Sequence, residues 1–255
     1  MNAKKGEGQL FYKHYGKGET LCLLHGFLEN HLMWEPMLDE LVKHYHILVI
    51  DLPGHGNSNL AHDEMTLSDM AGAVKEVLEK LELTEVKFVG HSMGGYVALV
   101  FAEAYPQKTK GILLLNSTPE ADSAERKEMR NHAVDMAGRN YEALISMSVT
   151  NLFSSKKRAA LEQEIAQTKA EALQVSAEAY IACQKAMSKR PDYSEFWERA
   201  RFKKGMILGS DDGLIDPGKM QQKFSSQGVK IDVLTGGHML HIENFTEVVS
   251  LLVGF

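Results

Sequence analysis

The residue best placed to do chemistry is Ser92, in the run Gly90-His91-Ser92-Met93-Gly94, which has the form G-x-S-x-G. The apolar β-branched run Val86–Val89 precedes it, and an apolar helix-forming run follows it. A strand that feeds a helix through a one-residue corner pushes the serine hydroxyl clear of the sheet. Gly90 and Gly94 lack the Cβ atoms that would collide in so tight a turn. The helix start behind the serine offers unpaired N–H groups and a positive dipole end, so the Met93 N–H can hold an oxyanion. The competing role for Ser92 is a helix N-cap.

A serine hydroxyl needs a base. Among eleven histidines, His238 stands in the glycine-rich loop "TGGHMLHIENF", directly after Gly236 and Gly237 and before the last helical pattern. His241 competes, three residues on. The base in turn needs a carboxylate to order its tautomer. "GMILGSDDGLIDP" ends a strand at Gly209 and offers Asp211, Asp212 and Asp216. Aspartates are common in turns for their own hydrogen bonds. Asp212, set further from the strand, is the choice, with Asp211 second as a cap of the local turn. Ser92, Asp212 and His238 each fall just past a predicted strand.

The elements that must position these groups follow from the apolar patterning. "QLFYKHYGKGETLCLLHG" reads as two strands around a turn at Gly16–Gly18. His46–Asp51, Val86–Gly90, Gly111–Asn116, Gly205–Gly209 and Lys230–Gly237 are short runs suited to strands buried on both faces. Helical patterns at Leu32–Val42, Thr66–Leu81 (opened by the capping-box-like "TLSD"), Met93–Tyr105 and Asn244–Leu252 alternate with them. The alternation predicts an α/β fold: a mostly parallel, doubly wound β-sheet flanked by helices. It breaks once, over 119–203, where only helical patterns occur (Arg126–Ala137, Tyr141–Leu152, Lys156–Met187). A structureless loop of that length is implausible in a compact domain. An inserted helical lid over 119–203 is expected, leaving 1–118 and 204–255 as the core.

The net charge of −6 gives no electrostatic footprint for nucleic acid. No run is long enough to cross a bilayer, and the N-terminal pattern lacks the apolar stretch of a signal peptide. A cytoplasmic location is the expectation. Cys22 and Cys183 give no disulfide framework. No metal-ligand spacing and no phosphate-cradling glycine loop occur, so no metal and no cofactor is expected.

With these residues in view, the chain resembles the α/β-hydrolase fold family, in its capped, esterase-like branch. "LLHGF" (Leu23–Phe27) looks like that family's oxyanion turn, which implies the Phe27 N–H as second donor beside Met93. "DLPGHGNS" (Asp51–Ser58) is similar to a supporting segment of the family, "GSDD" fits its G-x-x-D pattern at Asp212, and "GGHMLHIEN" resembles its terminal segment at His238. Phe245 stands where relatives often have proline. Dehalogenases and epoxide hydrolases of this fold carry aspartate in place of Ser92, so the chain does not look like them. The resemblance implies hydrolysis of a small-molecule ester of small to medium acyl size through an acyl-enzyme on Ser92, by a monomer or homodimer. A lactonase, thioesterase or acyl-carrier methyl esterase would use the same groups. A carbon–carbon bond hydrolase and a non-catalytic ligand receptor are the remaining readings. His31, Trp34 and Met239 are candidate pocket residues, with packing of the first helix the competing role for Trp34.

Overall fold

The computed structural model describes residues 10–225 and 228–255; the N-terminal stretch read above lies outside them up to residue 9. Seven strands form one sheet: β1 (Tyr12–Tyr15), β2 (Thr20–Leu24), β3 (His46–Ile50), β4 (Val86–His91), β5 (Thr109–Leu115), β6 (Lys203–Gly209) and β7 (Lys230–Leu234). Their order across the sheet is β1-β3-β2-β4-β5-β6-β7. All pairings are parallel except β1 with β3. The two strands around the Gly16–Gly18 turn are present, but they are not partners: β3 lies between them.

Burial on both faces explains the near-continuous apolar strands. Side chains alternate between two cores. Cys22, Leu24, Leu48, Ile50, Phe88, Ile112, Leu114, Met206 and Leu208 face one. Leu21, Leu23, Ile47, Val49, Val89, Leu113, Leu115 and Ile207 face the other. Helices α2 (Leu67–Lys80), α3 (Met93–Ala104) and α9 (Pro217–Phe224) cover the first face, with Met70, Val74, Phe101 and Phe224 fully buried. Helices α1 (Glu35–Leu41) and α10 (Phe245–Val253) cover the second with Met37, Leu41, Val248 and Leu252. The "TLSD" start forms a full capping box between Thr66 and Asp69, which satisfies two N–H groups at the head of α2.

Between β5 and β6 the chain forms α4 (Ala124–Ala137), α5 (Tyr141–Leu152), α6 (Glu162–Ala172), α7 (Ala177–Ser188) and α8 (Ser194–Arg199). The expected helical stretch Lys156–Met187 is divided. A 3-10 turn occupies Arg158–Ala160, and Ser176 caps a new start at α7 by accepting the Ala179 N–H. Leu144, Ile145, Val149, Phe153, Ile165 and Tyr180 make a third apolar cluster, closed on the body side by Leu28 and Met239. Cys183 and Met187 of α7, and Trp197 of α8, enter the first core of the body. Both cysteines are buried thiols. Among the described residues no helix is long and apolar enough to cross a membrane.

Candidate active site

The C-terminal ends of β2, β4, β5 and β6 converge on one rim, the place where a parallel sheet presents its loops. Ser92 is the single residue between β4 and α3, and its backbone is strained at φ 48°, ψ −113°. A left-handed φ in a non-glycine residue costs energy and persists only where its surroundings fix it. Here they do. The Ser92 N–H donates to the Leu115 carbonyl at 3.0 Å, and Ser117 Oγ donates to the Ser92 carbonyl at 2.8 Å. A Cβ on Gly90 would strike the backbone of Gly95, and one on Gly94 the carbonyl of Leu24. The corner therefore needs glycine on both sides. Ser92 stands at the N-cap position of α3, yet its side chain makes no capping bond. Its Oγ lies 2.9 Å from His238 Nε2 instead.

The other nitrogen of His238, Nδ1, lies 2.8 Å from Asp212 Oδ2. The Asp212 side chain is fully buried, and four donors meet its carboxylate. Besides His238, Asn116 Nδ2 donates to Oδ2 at 2.9 Å, and the Leu214 and Ile215 N–H groups donate to Oδ1 at 2.8 and 3.3 Å. Burial alone would raise this carboxyl, but the charge and hydrogen bond of His238, then Asn116 and the Leu214 N–H, hold it below the usual carboxylate range. Asn116 also donates to the Gly237 carbonyl at 3.1 Å, so it ties acid and base loops together. The two competing aspartates are engaged elsewhere. Asp211 pairs with Lys156 at 2.7 Å, and Asp216 caps α9.

The Leu23–Phe27 turn has its own scaffold. His25 Nδ1 donates to the Gly26 carbonyl at 2.7 Å, while its Nε2 accepts the Leu52 N–H at 2.8 Å. Leu28 takes φ 68°. Neither the Phe27 N–H nor the Met93 N–H donates a hydrogen bond among the described residues. Both backbone donors are therefore unspent among the described residues.

The candidate pocket residues separate. Met239 is buried beside Leu28 and lines a cavity of about 320 Å³ together with Glu29, Met33, Glu164 and His241. Ser92 and His238 are not among that cavity's lining residues. His31 and Trp34 do not line it either. Trp34 is fully buried in the second core, where an indole packs better than at a wet mouth. His31 is turned inward to Asp51, 2.9 Å from its Oδ1. Asp51 in turn accepts the His31 and Asn57 N–H groups, and its carbonyl accepts Ser58 Oγ. The "DLPGHGNS" segment is thus a self-bonded loop.

Sequence reasoning passed over Asn116, Ser117, Glu29 and His91; the last two join His241 in a buried trio. The ligand-type atoms of the trio lie within 4.8 Å of one another, a spacing that no pattern in positions 29, 91 and 241 could reveal. A polar residue at the end of a buried strand, as in "LLLNS", was the one signal for Asn116. His241, the competing base, meets Glu29 Oε1 at 3.3 Å, and no hydrogen bond links it to Ser92 among the described residues.

Comparison with known proteins agrees with this fold. A family profile described as "alpha/beta hydrolase fold" matches residues 19–245. The (E)-2-((N-methylformamido)methylene)succinate hydrolase of Acinetobacter baylyi is 31% identical over 122 residues, covering 48% of this chain and 46% of that protein. A pimeloyl-[acyl-carrier protein] methyl ester esterase of Yersinia pseudotuberculosis is 36% identical over 112 residues, covering 44% of this chain and 42% of its own. The chain thus aligns with less than half the length of these curated relatives. Among solved structures, a thermophilic esterase from Thermogutta terrifontis superposes with a TM-score of 0.89 at 25% identity, covering 95% of this chain and 91% of its own. An enol-lactonase from Burkholderia xenovorans shares the fold with a TM-score of 0.87 at 20% identity, covering 96% and 95%.

Proposed function

The chain belongs to the alpha/beta hydrolase fold family, and on that footing we propose that it is a serine hydrolase that cleaves carboxylic esters of small to medium acyl groups. The observation that carries the reading is the continuous line from Ser92 Oγ through His238 to Asp212, with bonds of 2.9 and 2.8 Å.

In the first step Ser92 Oγ attacks the ester carbonyl while His238 Nε2 takes its proton. The carbonyl oxygen, now negative, accepts hydrogen bonds from the Phe27 and Met93 N–H groups, and the start of α3 adds its dipole. Collapse of the tetrahedral intermediate breaks the bond to the alcohol, which leaves with the proton held by His238. Water then attacks the acyl-enzyme. His238 accepts its proton and returns one to Ser92 as the acid is released. Asp212 keeps Nδ1 of His238 protonated, which leaves Nε2 free to face the serine. No step calls for a cofactor.

Helices α4 to α8, within 119–203, serve as a cap over this rim. The Tyr180 ring sits 5.0 Å from Phe27 in the oxyanion turn, and the Leu152 carbonyl accepts the His238 N–H at 2.7 Å. Two of the named relatives support the ester reading: a methyl ester esterase and a thermophilic esterase.

The experiment is turnover of p-nitrophenyl esters, lactones and thioesters by wild type and Ser92→Ala, with fluorophosphonate labelling mapped by mass spectrometry. Short-chain ester turnover should fall by about 10⁶-fold in Ser92→Ala, with the label on Ser92 alone. Ester turnover by Ser92→Ala at the wild-type rate would sink the reading. An unlabelled, non-hydrolysing wild type would favour a receptor.

A further inference from the structure

A second histidine–carboxylate pair lies directly behind the nucleophile, and the acyl-transfer reading leaves it unused. His91 immediately precedes Ser92. Its Nδ1 lies 2.6 Å from Glu29 Oε2, and its Nε2 lies 3.0 Å from the backbone carbonyl of His238. A carboxylate and a carbonyl both accept, so the ring donates at both ends. Glu29 Oε2 also accepts the Gly26 N–H at 2.8 Å, inside the turn that carries Phe27. Glu29, His91, His238 and His241 are all more than nine-tenths buried. Neither Glu29 nor His91 is bonded to Ser92 Oγ.

We propose that Glu29 and His91 are positioning residues for the reaction at Ser92: their bridge locks the oxyanion turn, the serine corner and the His238 loop into one unit. The inference rests on the serine-hydrolase reading above. Its physical basis is that one chain of buried hydrogen bonds ties all three segments together. Residues 26–29, 91 and 238 are far apart in the chain, and each catalytic group sits within one or two residues of a bridge atom. Phe27 follows Gly26, Ser92 follows His91, and His238 supplies the accepting carbonyl itself. Catalytic geometry must hold to about 0.5 Å, and that precision comes from buried supporting bonds. Removing the bridge leaves Ser92 and substrate contacts intact but lets donors and base drift. The loss therefore falls on the transition state, in kcat, and leaves KM nearly unchanged. The trio's spacing would also suit a divalent ion, but the hydrogen bonds already engage His91 Nδ1 and Glu29 Oε2 with each other.

The test is a graded series at Glu29 read with p-nitrophenyl butyrate and an alkyl trifluoromethyl ketone. The ketone adds Ser92 Oγ to its carbonyl, so its oxyanion reports the donors directly. Glu29→Met keeps the volume and deletes the acceptor. It should lower kcat by roughly 10²-fold, move KM by less than about threefold, and weaken the ketone by a factor close to the kcat loss. Glu29→Gln retains an acceptor toward Gly26 and His91, and should recover kcat to within about tenfold of wild type. Glu29→Met combined with His91→Met should lose no more than the worse single variant, because both cut one bridge. If Glu29→Met does not fold, His91→Met carries the test on the same readouts. The inference is overturned if the folded variants keep kcat and ketone affinity within threefold of wild type, or if Glu29→Gln is as impaired as Glu29→Met. It also falls if a stoichiometric divalent ion copurifies with wild type and is lost from Glu29→Met. A wild type that neither labels at Ser92 nor binds the ketone overturns the serine-hydrolase reading instead.

Discussion

Two histidine–carboxylate pairs stand ring to ring at the rim of the sheet, with the His91 and His238 centroids 5.2 Å apart. Their parts are the same, and both are buried. They differ in what the second nitrogen meets. In the Asp212–His238 pair, Nε2 faces a partly exposed hydroxyl, Ser92 Oγ, which can give up a proton. In the Glu29–His91 pair, Nε2 faces a peptide carbonyl that can only accept. The first pair can move a proton to and from a reactant. The second has both nitrogens committed and can only hold things in place. An imidazole beside a carboxylate is therefore no evidence of catalysis until the far nitrogen is accounted for.

The same amide swap should separate the two pairs most widely. Asp212→Asn puts an amide against His238 Nδ1, favours the wrong tautomer, and should lower kcat by about 10⁴-fold. Glu29→Gln leaves an acceptor in place and should cost far less, within about tenfold. Steady-state kinetics of both variants on one ester checks this. Equal losses would erase the distinction drawn from the far nitrogen.

The two pairs also differ in how far the amino-acid sequence discloses them. Ser92, Asp212 and His238 were legible because each follows a strand and because turn chemistry surrounds it: Gly90 and Gly94, the "GSDD" turn, the Gly236-Gly237 pair. The sheet was legible because burial on both faces makes its strands continuously apolar. Glu29 and His91 were not legible. Glu29 lies in a loop, where a lone carboxylate ordinarily faces water, and His91 was merely the variable residue of G-x-S-x-G. Their meaning is a three-dimensional meeting of positions 29, 91 and 238, which no local period encodes. Strand partners were lost for the same reason: β1 and β2 are neighbours in sequence, but β3 separates them. Trp34 and His31 follow the Leu23–Phe27 turn and so are candidates for a pocket mouth, with packing the competing role for Trp34. The core and Asp51 took them instead.

A smaller effect concerns stability in acid. Burial alone would raise the Glu29 carboxyl, but the charges on His91 and His241 and the hydrogen bond from His91 bring it down from 4.5 to about 2. A depressed carboxyl stabilises the fold fully above its unfolded value of 4.5, and that contribution is lost as pH falls toward about 2. His91 behaves in the opposite sense. Burial would lower it, but the charge and hydrogen bond of Glu29 raise it above 6.5. Its contribution is full below 6.5 and is lost as pH rises through the raised value. The pair thus contributes most between pH 4.5 and 6.5. Chemical denaturation of wild type and Glu29→Gln should differ there by on the order of a few kcal/mol, at about 1.4 kcal/mol per pKa unit. The difference should shrink below pH 4.5. A gap that widens in acid would mean the Glu29 carboxyl is not held down by its neighbours.

The least effect should come from the residue next to the acid. Asp211 differs from Asp212 by one position in the same turn, yet its carboxylate points to the Lys156 ammonium at 2.7 Å, and the Lys156 side chain is 74% exposed. An ion pair that wet is screened by salt and contributes little. What fixes the turn at Asp211 is its backbone N–H, which donates to the Gly236 carbonyl at 2.8 Å and survives any side-chain change. Asp211→Asn should therefore leave kcat/KM within about twofold of wild type, and added salt should not change that ratio. Asp212 lies one step further along the turn, where its side chain swings back under the rim to His238, fully buried. If Asp211→Asn were the crippling variant and Asp212→Asn the mild one, the carboxylate serving His238 would be the wrong one, and the contrast between an open pair and a closed pair would have to be rebuilt around Asp211.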